Sequence, residues 1–180
     1  MANRKPTVDD LRQLMRYDPE IGKLFWKERA RKWFKSDRDM RALNTRIAGK
    51  EAFTSLDSKG YRQGKVLEFI FRAHRVAWAI ETGVWPQGFI DHINGDRTDN
   101  TFSNLREATN AQNQWNSGAQ VNNTSGFKGV SWRKRESVWV ASISHKKEHH
   151  FLGCFNSAEA AHAAYCEAAA RLHGEFARAL

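Results

Sequence analysis

The spacing of apolar residues in the first part of the chain predicts one helix and one strand. Apolar positions recur at helical spacing after Thr7, a good N-cap, so we predict a helix over residues 7–17. Residues 18–22 contain Pro and Gly and predict a turn. The apolar residues that follow predict a strand over residues 23–26.

The next stretch has a weaker pattern. Residues 27–45 are dominated by Lys and Arg, with Trp33 and Phe34 between them. This composition favours a solvated basic loop or a frayed helix, and the alternative is a phosphate-contacting arm that orders on DNA. Residues 46–72 predict β-structure with turns at glycines, and the apolar run at 66–71 predicts a buried strand.

A strand–loop–strand arrangement flanked by helices is predicted in the middle of the chain. Residues 73–80 have the apolar spacing of a helix, and Gly83 suits its C-terminal end. Residues 90–92 predict a short strand and residues 105–107 a returning strand. Thr109 suits the N-cap of a helix expected over residues 110–116.

The last third predicts a separate β-rich unit. Residues 117–123 are polar and predict a linker. Val138, Val140 and Ile143 suit a half-buried strand, and Ser157 is a good N-cap for an Ala-rich helix.

Composition narrows the partner and the compartment. The 180 residues carry a net charge of +9, which favours an anionic partner, with nucleic acid the first candidate. No stretch has the roughly 18 to 20 apolar residues of a membrane span, and no secretory signal is apparent at the N-terminus. The two cysteines form neither a disulfide framework nor a zinc motif, so we expect a cytoplasmic protein without membrane partners.

Candidate chemistry is concentrated in residues 91–96, Asp-His-Ile-Asn-Gly-Asp. A carboxylate beside an imidazole is followed by a strong turn signal, then by the triplet at 104–106, Asn-Leu-Arg, and by Asn113. Carboxylate and amide oxygens are ligands for hard divalent cations, and His can accept a proton near neutral pH. These are the groups needed to activate water against a phosphodiester.

The stretch from about His74 to Asn116 resembles the HNH endonucleases, in the form common in phage and mobile-intron homing enzymes. The resemblance implies a ββα-metal fold. His92 would be the general base, and Asn104 would hold the loop and keep the His in place. Asp91 and Asn113 would bind one Mg²⁺ (or Mn²⁺) ion per site.

Three further residues of this stretch have two open interpretations. His74 and Arg75 resemble a pair often found upstream in this group, and each either positions phosphate or supports the helix. Arg106 either contacts a DNA phosphate or braces the loop.

Residues 124–177 resemble the AP2 DNA-binding domain. The resemblance is carried by Ser125-Gly126-Phe127-Lys128-Gly129-Val130, Trp139-Val140-Ala141-Ser142-Ile143, Phe151-Leu152-Gly153-Cys154-Phe155 and the Ala-rich segment after Ser157. It implies three antiparallel strands packed on one helix, with the open sheet face in the DNA major groove. The DNA-contact candidates are Lys128, Ser131, Arg133, Trp139, Ser142, Ser144, Lys146, His149 and Phe151. Because several plant AP2 arginine positions hold other residues here, the GC-rich plant target is not expected.

Together these observations predict an α+β protein of two domains. An HNH domain with an N-terminal α/β extension would span residues 1–116, with its core at about 73–116, and an AP2-like domain would span residues 124–180. The expected function is metal-dependent cleavage of double-stranded DNA by a monomer or weak dimer, as a homing or phage-encoded nicking enzyme. The alternatives are a non-catalytic DNA-binding transcriptional regulator and an RNA-directed or structure-specific nuclease.

Overall fold

The computed structural model describes residues 4–120 and 122–178. Three predictions extend beyond them: the N-terminus without a secretory signal (Met1, Ala2 and Asn3), the linker (Val121) and the second domain (Ala179 and Leu180). The α-helices are α1 (Val8–Leu14), α2 (Asp37–Ile47), α3 (Ala73–Thr82), α4 (Asn110–Trp115) and α5 (Ala158–His173). None of the described helices is long and apolar enough to cross a membrane.

Eleven strands form four small sheets within the described residues. The strands are β1 (Met15–Asp18), β2 (Lys23–Trp26), β3 (Glu51–Ala52), β4 (Ser55–Leu56), β5 (Arg62–Val66), β6 (Phe69–Arg72), β7 (Phe89–His92), β8 (Leu105–Ala108), β9 (Val130–Arg133), β10 (Val138–His145) and β11 (Glu148–Phe155). The sheet orders are β1-β2-β3, β4-β5-β6, β7-β8 and β11-β10-β9. Short 3-10 helices occupy Arg31–Trp33, Phe102–Asn104 and Gly174–Phe176.

The chain divides into two compact units, Met1–Glu107 and Ala108–Leu180. The predicted domain boundary was the linker at residues 117–123, so the observed division assigns α4 to the second unit. A physical reason is that Trp115, at the end of α4, stacks on His173 of α5 with ring centroids 4.4 Å apart.

The first helix is shorter than predicted. Thr7 caps it as expected, because its Oγ1 accepts the N–H of Asp10 at 3.2 Å and its own N–H donates to the Asp10 carboxylate at 2.9 Å. The helix ends at Leu14, and residues 15–17, predicted to be helical, belong instead to β1. Strand pairing with β2 outcompetes the helix, and the alternating burial of Met15 and Tyr17 fits a half-buried strand.

The single strand predicted at residues 66–71 is wrong. The run is a hairpin, since β5 and β6 pair with Val66 opposite Phe69, and Leu67 takes a positive φ of 54° in the turn. One residue of the apolar run, Ile70, is 70% exposed. An apolar run does not reveal a reversal of the chain when its turn lacks Gly, Pro and Asn.

Residues 37–47 form a regular helix, so the expected loop or frayed helix is wrong for this range. The Ser36 hydroxyl caps α2 by accepting the N–H of Asp39 at 3.1 Å. The side chain of Asn44 joins α2 to the segment that precedes it. Its Oδ1 accepts the N–H of Arg29, and its Nδ2 donates to the carbonyl of Arg29, each at 3.0 Å.

The N-terminal hairpin supports the loop that follows β7. The hydroxyl of Tyr17 donates to the carbonyl of Asn100 at 2.7 Å, and the N–H of Phe102 donates to the carbonyl of Pro19 at 2.9 Å. Gly22 has a φ of 68°, and a Cβ there would lie 2.4 Å from the backbone nitrogen of Thr101. The close approach therefore requires glycine.

The first unit encloses one core around α1 and α3. Leu11, Leu14, Val66, Val76 and Ala77 are fully buried in it. The predicted helix at 73–80 is confirmed, since α3 spans Ala73–Thr82 and ends at Gly83 in the left-handed conformation.

In the second unit an antiparallel three-stranded sheet packs on α5. Val130, Ala141 and Ile143 face the helix, and Ala161 and Ala169 are fully buried against them. Small alanines let the helix approach the sheet closely. The strand predicted around residues 138–143 and the helix predicted after Ser157 are confirmed as β10 and α5, while the AP2-like arrangement stays a prediction.

Candidate functional site

The predicted chemistry lies at the end of β7 and in the loop that follows it. Asp91 and His92 are the last two residues of the strand, and both side chains are buried. The chain turns after His92, whose carbonyl accepts the N–H of Gly95 at 2.8 Å. The Ile93 N–H donates to the carbonyl of Asn104 at 2.9 Å. The strand therefore ends at the motif, and Asp91 and His92 take different partners.

Asn104 joins the two ends of this loop. Its Oδ1 accepts the N–H of Asn94 at 2.9 Å, and its Nδ2 donates to the carbonyl of Asp99 at 2.8 Å. Asp96 stabilises the turn by accepting the N–H of Thr98 at 2.8 Å. These bonds fit the loop-holding role predicted for Asn104.

His92 is oriented by Asn100. The two side chains meet with His92 Nε2 3.0 Å from Asn100 Oδ1. An amide oxygen only accepts, so Nε2 carries the proton and Nδ1 holds the lone pair of the neutral ring. Burial lowers the pKa of His92, while the Asn100 hydrogen bond and the Asp91 charge raise it in part. A neutral ring with its lone pair on Nδ1 can accept a proton.

Two further rings surround His92. His74 lies edge-on with its ring centroid 5.0 Å away, and Tyr61 lies 5.9 Å away. Burial, followed by the charge of His92, lowers the pKa of His74 to about 3, so His74 is neutral near pH 7. Tyr61 also lies under the guanidinium of Arg72, at 4.2 Å. Sequence reasoning identified His74 but missed Tyr61, which precedes the motif by 30 positions and has no local signal.

Asp91 pairs with Arg106 across β7 and β8. The Nε of Arg106 donates to Asp91 Oδ2 at 2.9 Å, and its Nη2 lies 2.9 Å from the same oxygen as an ion pair. Of the two open interpretations, this geometry favours Arg106 as a brace, and phosphate contact stays a prediction. The ion pair holds an anionic carboxylate inside the fold.

The donor set suits a hard cation. No three His, Cys, Asp or Glu side chains within residues 4–120 and 122–178 form a cluster that could hold a metal ion. Mg²⁺, by contrast, is bound through one or two carboxylates, with waters and substrate phosphates completing its shell. The buried carboxylate of Asp91 has oxygens of the type that Mg²⁺ prefers, and its ligand role stays a prediction.

Arg75 is bonded within the first unit. Its guanidinium donates to the carbonyls of Gly88 at 2.8 Å and Pro86 at 2.9 Å. These contacts favour the supporting interpretation over phosphate positioning, which stays a prediction.

The other predicted metal ligand, Asn113, lies on α4 in the second unit. This helix starts as predicted at Thr109, where the Thr109 and Gln112 side chains cap each other's backbone N–H groups at 3.3 and 2.8 Å. It ends at Trp115, which stacks on His145 and His173. Asn113 is half-buried, and its ligand role stays a prediction.

The sheet face away from α5 carries most of the predicted DNA contacts. Strand alternation and register place on it Ser131, Arg133, Ser142, Ser144, His149 and Phe151. A cavity of about 620 Å³ lies beside part of this face, and residues 117–120 and 122–124 contribute to its walls. Lys146 lies at the hairpin tip, where it and Lys147 have φ values of 49° and 69°.

Two predicted contacts are placed elsewhere. Trp139 packs on the helix side of the sheet with Val130 and Ala141, because strand alternation puts it opposite the serines. Lys128 is half-buried, and its Nζ donates to the carbonyls of Trp115 and Ser117 at 2.5 and 2.6 Å. Neither side chain lies on the open face, and DNA contact by either residue stays a prediction.

The segment that carries this geometry is similar to a known family. Residues 71–115 match the family model described as HNH endonuclease, which confirms that resemblance, and the range contains Asp91, His92, Asn104 and Asn113. The chain is also similar to Protein 3.8 of Escherichia phage T7, at 34% identity over 108 residues, or 59% of this chain and 88% of that protein. No solved structure matches the chain significantly.

Proposed function

This chain belongs to the family that includes Protein 3.8 of Escherichia phage T7, and we propose that it is a metal-dependent endonuclease that hydrolyses phosphodiester bonds in duplex DNA. The proposal rests on one observation above all. His92 lies in the HNH-matching range, and Asn100 orients its ring so that a neutral Nδ1 can accept a proton.

In the proposed reaction His92 is the general base. Its Nδ1 takes the proton of a water molecule that attacks the scissile phosphorus, and the bond from phosphorus to the leaving 3′ oxygen breaks. A positioned base of this kind typically contributes about 10²- to 10⁴-fold to the rate. Asn100 keeps the reactive tautomer, while Asn104 keeps the loop, and therefore Asn100, in place.

Asp91 is the proposed ligand of the divalent ion, which HNH nucleases generally use, and Mg²⁺ is the first candidate. When bound, the ion supplies positive charge to the phosphate as negative charge develops there. Arg106 holds the carboxylate through Oδ2 and so limits its rotation. The proposed role of Asn113 as a further ligand rests on its position in the HNH signature.

We further propose that the second unit binds duplex DNA through its open sheet face. The face presents small polar side chains such as Ser142 and Ser144, which suit contact with base edges or phosphates in a wide major groove. A phage-encoded origin is supported by the T7 relative, and a homing role with single-strand nicking is part of the same proposal.

A supercoiled-plasmid assay tests the proposal. Purified protein is incubated with plasmid and Mg²⁺, with EDTA added, or with His92→Ala in place of the wild type. Open circles that require both Mg²⁺ and His92 are expected, and linear product would indicate paired cutting. A band shift without cleavage, repeated on plasmids carrying phage DNA, would contradict the enzyme and favour a DNA-binding regulator.

A further inference from the structure

The positive charge of the chain is concentrated in one segment of the first unit. Residues 27–50 contain nine Lys and Arg against three Asp and Glu, a net of +6 in a chain whose net charge is +9. None of these residues belongs to the candidate active site. The segment contains the 3-10 helix at Arg31–Trp33 and α2.

This segment is folded rather than a loose basic arm. Asn44 is buried and clamps the backbone of Arg29, and Ser36 caps α2. The guanidinium of Arg31 pairs with Asp37 and donates to the carbonyl of Lys35. Contacts within the fold therefore involve some of the Lys and Arg side chains of residues 27–50, but most of these side chains make none.

Elsewhere in the first unit, cations are mostly paired. Arg16 pairs with Asp18 at 3.1 Å, Lys23 with Glu51 at 2.8 Å, and Lys65 with Glu68 at 3.0 Å. Arg12, Arg75 and Arg97 donate to backbone carbonyls. Paired cations are already partly neutralised.

Among residues 4–107, six Lys and Arg side chains have no hydrogen bond, ion pair or ring contact. They are Lys35, Arg38, Arg41, Arg46, Lys50 and Lys59. All but Lys59 belong to the segment at 27–50, and all six are exposed. Five of these six unpaired cations therefore lie on one helix and its two flanks.

The periodicity of α2 places three of these cations on its solvent side. Arg38, Arg41 and Arg46 are exposed, as are the small residues Ala42 and Thr45 between them. Buried Asn44 marks the opposite side of the helix. Small side chains between arginines leave room for a bulky anionic surface to approach the helix.

We propose that the exposed side of α2, with Lys35 and Lys50 at its ends, is a DNA-binding surface that contacts the phosphate backbone of duplex DNA. The inference rests on the proposed function, because it takes duplex DNA as the partner. It adds a binding surface in the first unit, separate from the sheet face of the second. Charge complementarity supports this partner, since phosphates attract unpaired Lys and Arg and release counterions.

The experiment compares two triple variants with the same loss of charge. Arg38→Gln/Arg41→Gln/Arg46→Gln removes three unpaired cations of α2, and Gln preserves helix propensity. Arg16→Gln/Lys23→Gln/Lys65→Gln, the control, removes three paired cations of the same unit. Binding of the full chain to a 30-base-pair duplex is measured by fluorescence anisotropy across salt concentrations, in EDTA so that no cleavage occurs.

The α2 variant should show a slope of log K against log salt that is smaller by about two to three, and about 100-fold weaker binding at 0.1 M salt. The control should stay within about 0.5 of the wild-type slope. Circular dichroism verifies that the triple variants are folded. If the α2 variant is unfolded, the single variants Arg38→Gln and Arg46→Gln replace it, and each should lower the slope by about 0.9.

Equal slopes for the α2 variant and the control would overturn the inference, as would a wild-type protein that does not bind the duplex. The proposed function fails differently. A protein whose α2 variant loses binding but whose wild type cuts no DNA retains this surface and loses the nuclease. A protein whose α2 variant keeps the wild-type salt slope, and whose wild type cuts DNA, retains the nuclease and loses this surface.

Discussion

Residues 27–50 and residues 128–147 are both rich in Lys and Arg, yet the two segments use their charge differently. In the first, five cations on and beside α2 are exposed and unpaired. In the second, Lys128 caps α4 from a half-buried position and Arg133 pairs with Glu136 at 3.1 Å. The sheet face itself presents mainly serines and rings, with the remaining cations in the hairpin turns.

The difference shows that a count of basic residues does not locate a binding surface, whereas an account of their partners does. It also suggests a division of labour in the proposed enzyme. The first unit would carry the proton-transfer chemistry and the salt-dependent affinity for phosphates, and the second would read shape or base edges.

The largest expected effect is a loss of DNA cleavage, the reaction proposed for the first unit, without a loss of DNA binding. His92→Ala should lower the cleavage rate at least about 100-fold, because it removes the general base. DNA affinity should change less than about twofold, since no phosphate-binding cation is lost. His162→Ala, on α5 of the second unit, is the control and should retain cleavage in the plasmid assay; wild-type cleavage by His92→Ala would exclude this base.

A second test measures whether a substitution in one unit destabilises that unit alone. Trp115→Ala removes a half-buried ring stacked on His145 and His173 and should destabilise the second unit by about 2 kcal/mol. Hydrogen exchange should accelerate in peptides of residues 138–173 and not in those of α1 and α3. Trp115→Phe should retain most of the protection, and an equal change in both units would contradict the separation.

Asn100→Ala tests a positioning contact inside the first unit. Loss of the acceptor for His92 Nε2 should lower cleavage about tenfold, the equivalent of about 1.4 kcal/mol, without weakening DNA binding. Asn100→Asp keeps an acceptor oxygen and should restore part of the rate. If Ala and Asp variants cut equally well, the contact does not orient the base.

The smallest expected effect concerns Lys128 and its pH dependence. Burial, with a contribution from Arg178, lowers the pKa of Lys128 to about 8 from 10.5. The unfolded chain therefore binds more protons than the folded one between pH 8 and 10, and the free energy of unfolding gains a contribution that increases with pH there.

Denaturant titrations of wild type and Lys128→Gln at pH 7.5 and 9.5 measure this contribution. The change in the free energy of unfolding between the two pH values is compared for the two proteins, so that the contributions of the other titrating groups cancel. The variant should lack the increase, and its salt dependence of DNA binding should match the wild type. A lower salt slope for Lys128→Gln would instead indicate that Lys128 contacts a DNA phosphate.

The signals that predicted the motif segment correctly are local ones. Gly83 ends α3, Asn94-Gly95 turns the chain after β7, and Thr109 caps α4. Each acts within about four residues, so a single sequence reveals it. The same holds for the alternation that predicted β10 and for the Ser157 cap of α5.

The errors occur where the pattern had more than one structural solution. The apolar run at 66–71 suits both a strand and a hairpin, and only pairing between β5 and β6 decides it. Residues 37–47 have a Ser36 cap, but their high charge hid the helix. Trp139, a candidate DNA contact, packs on the helix side of the sheet; because Val138 and Val140 are also apolar, alternation alone left the buried face undecided.

The amino-acid sequence by itself determined the order of the elements in the motif segment at residues 73–116, the positive charge and the residue types of the candidate site, because these depend on neighbours along the chain. Tertiary structure decided which groups meet: Asn100 on His92, Tyr61 beside it, and Tyr17 and Gly22 under the loop. It also decided which cations remained unpaired. These contacts join residues from 8 to 83 positions apart, so they exist only once the core has packed.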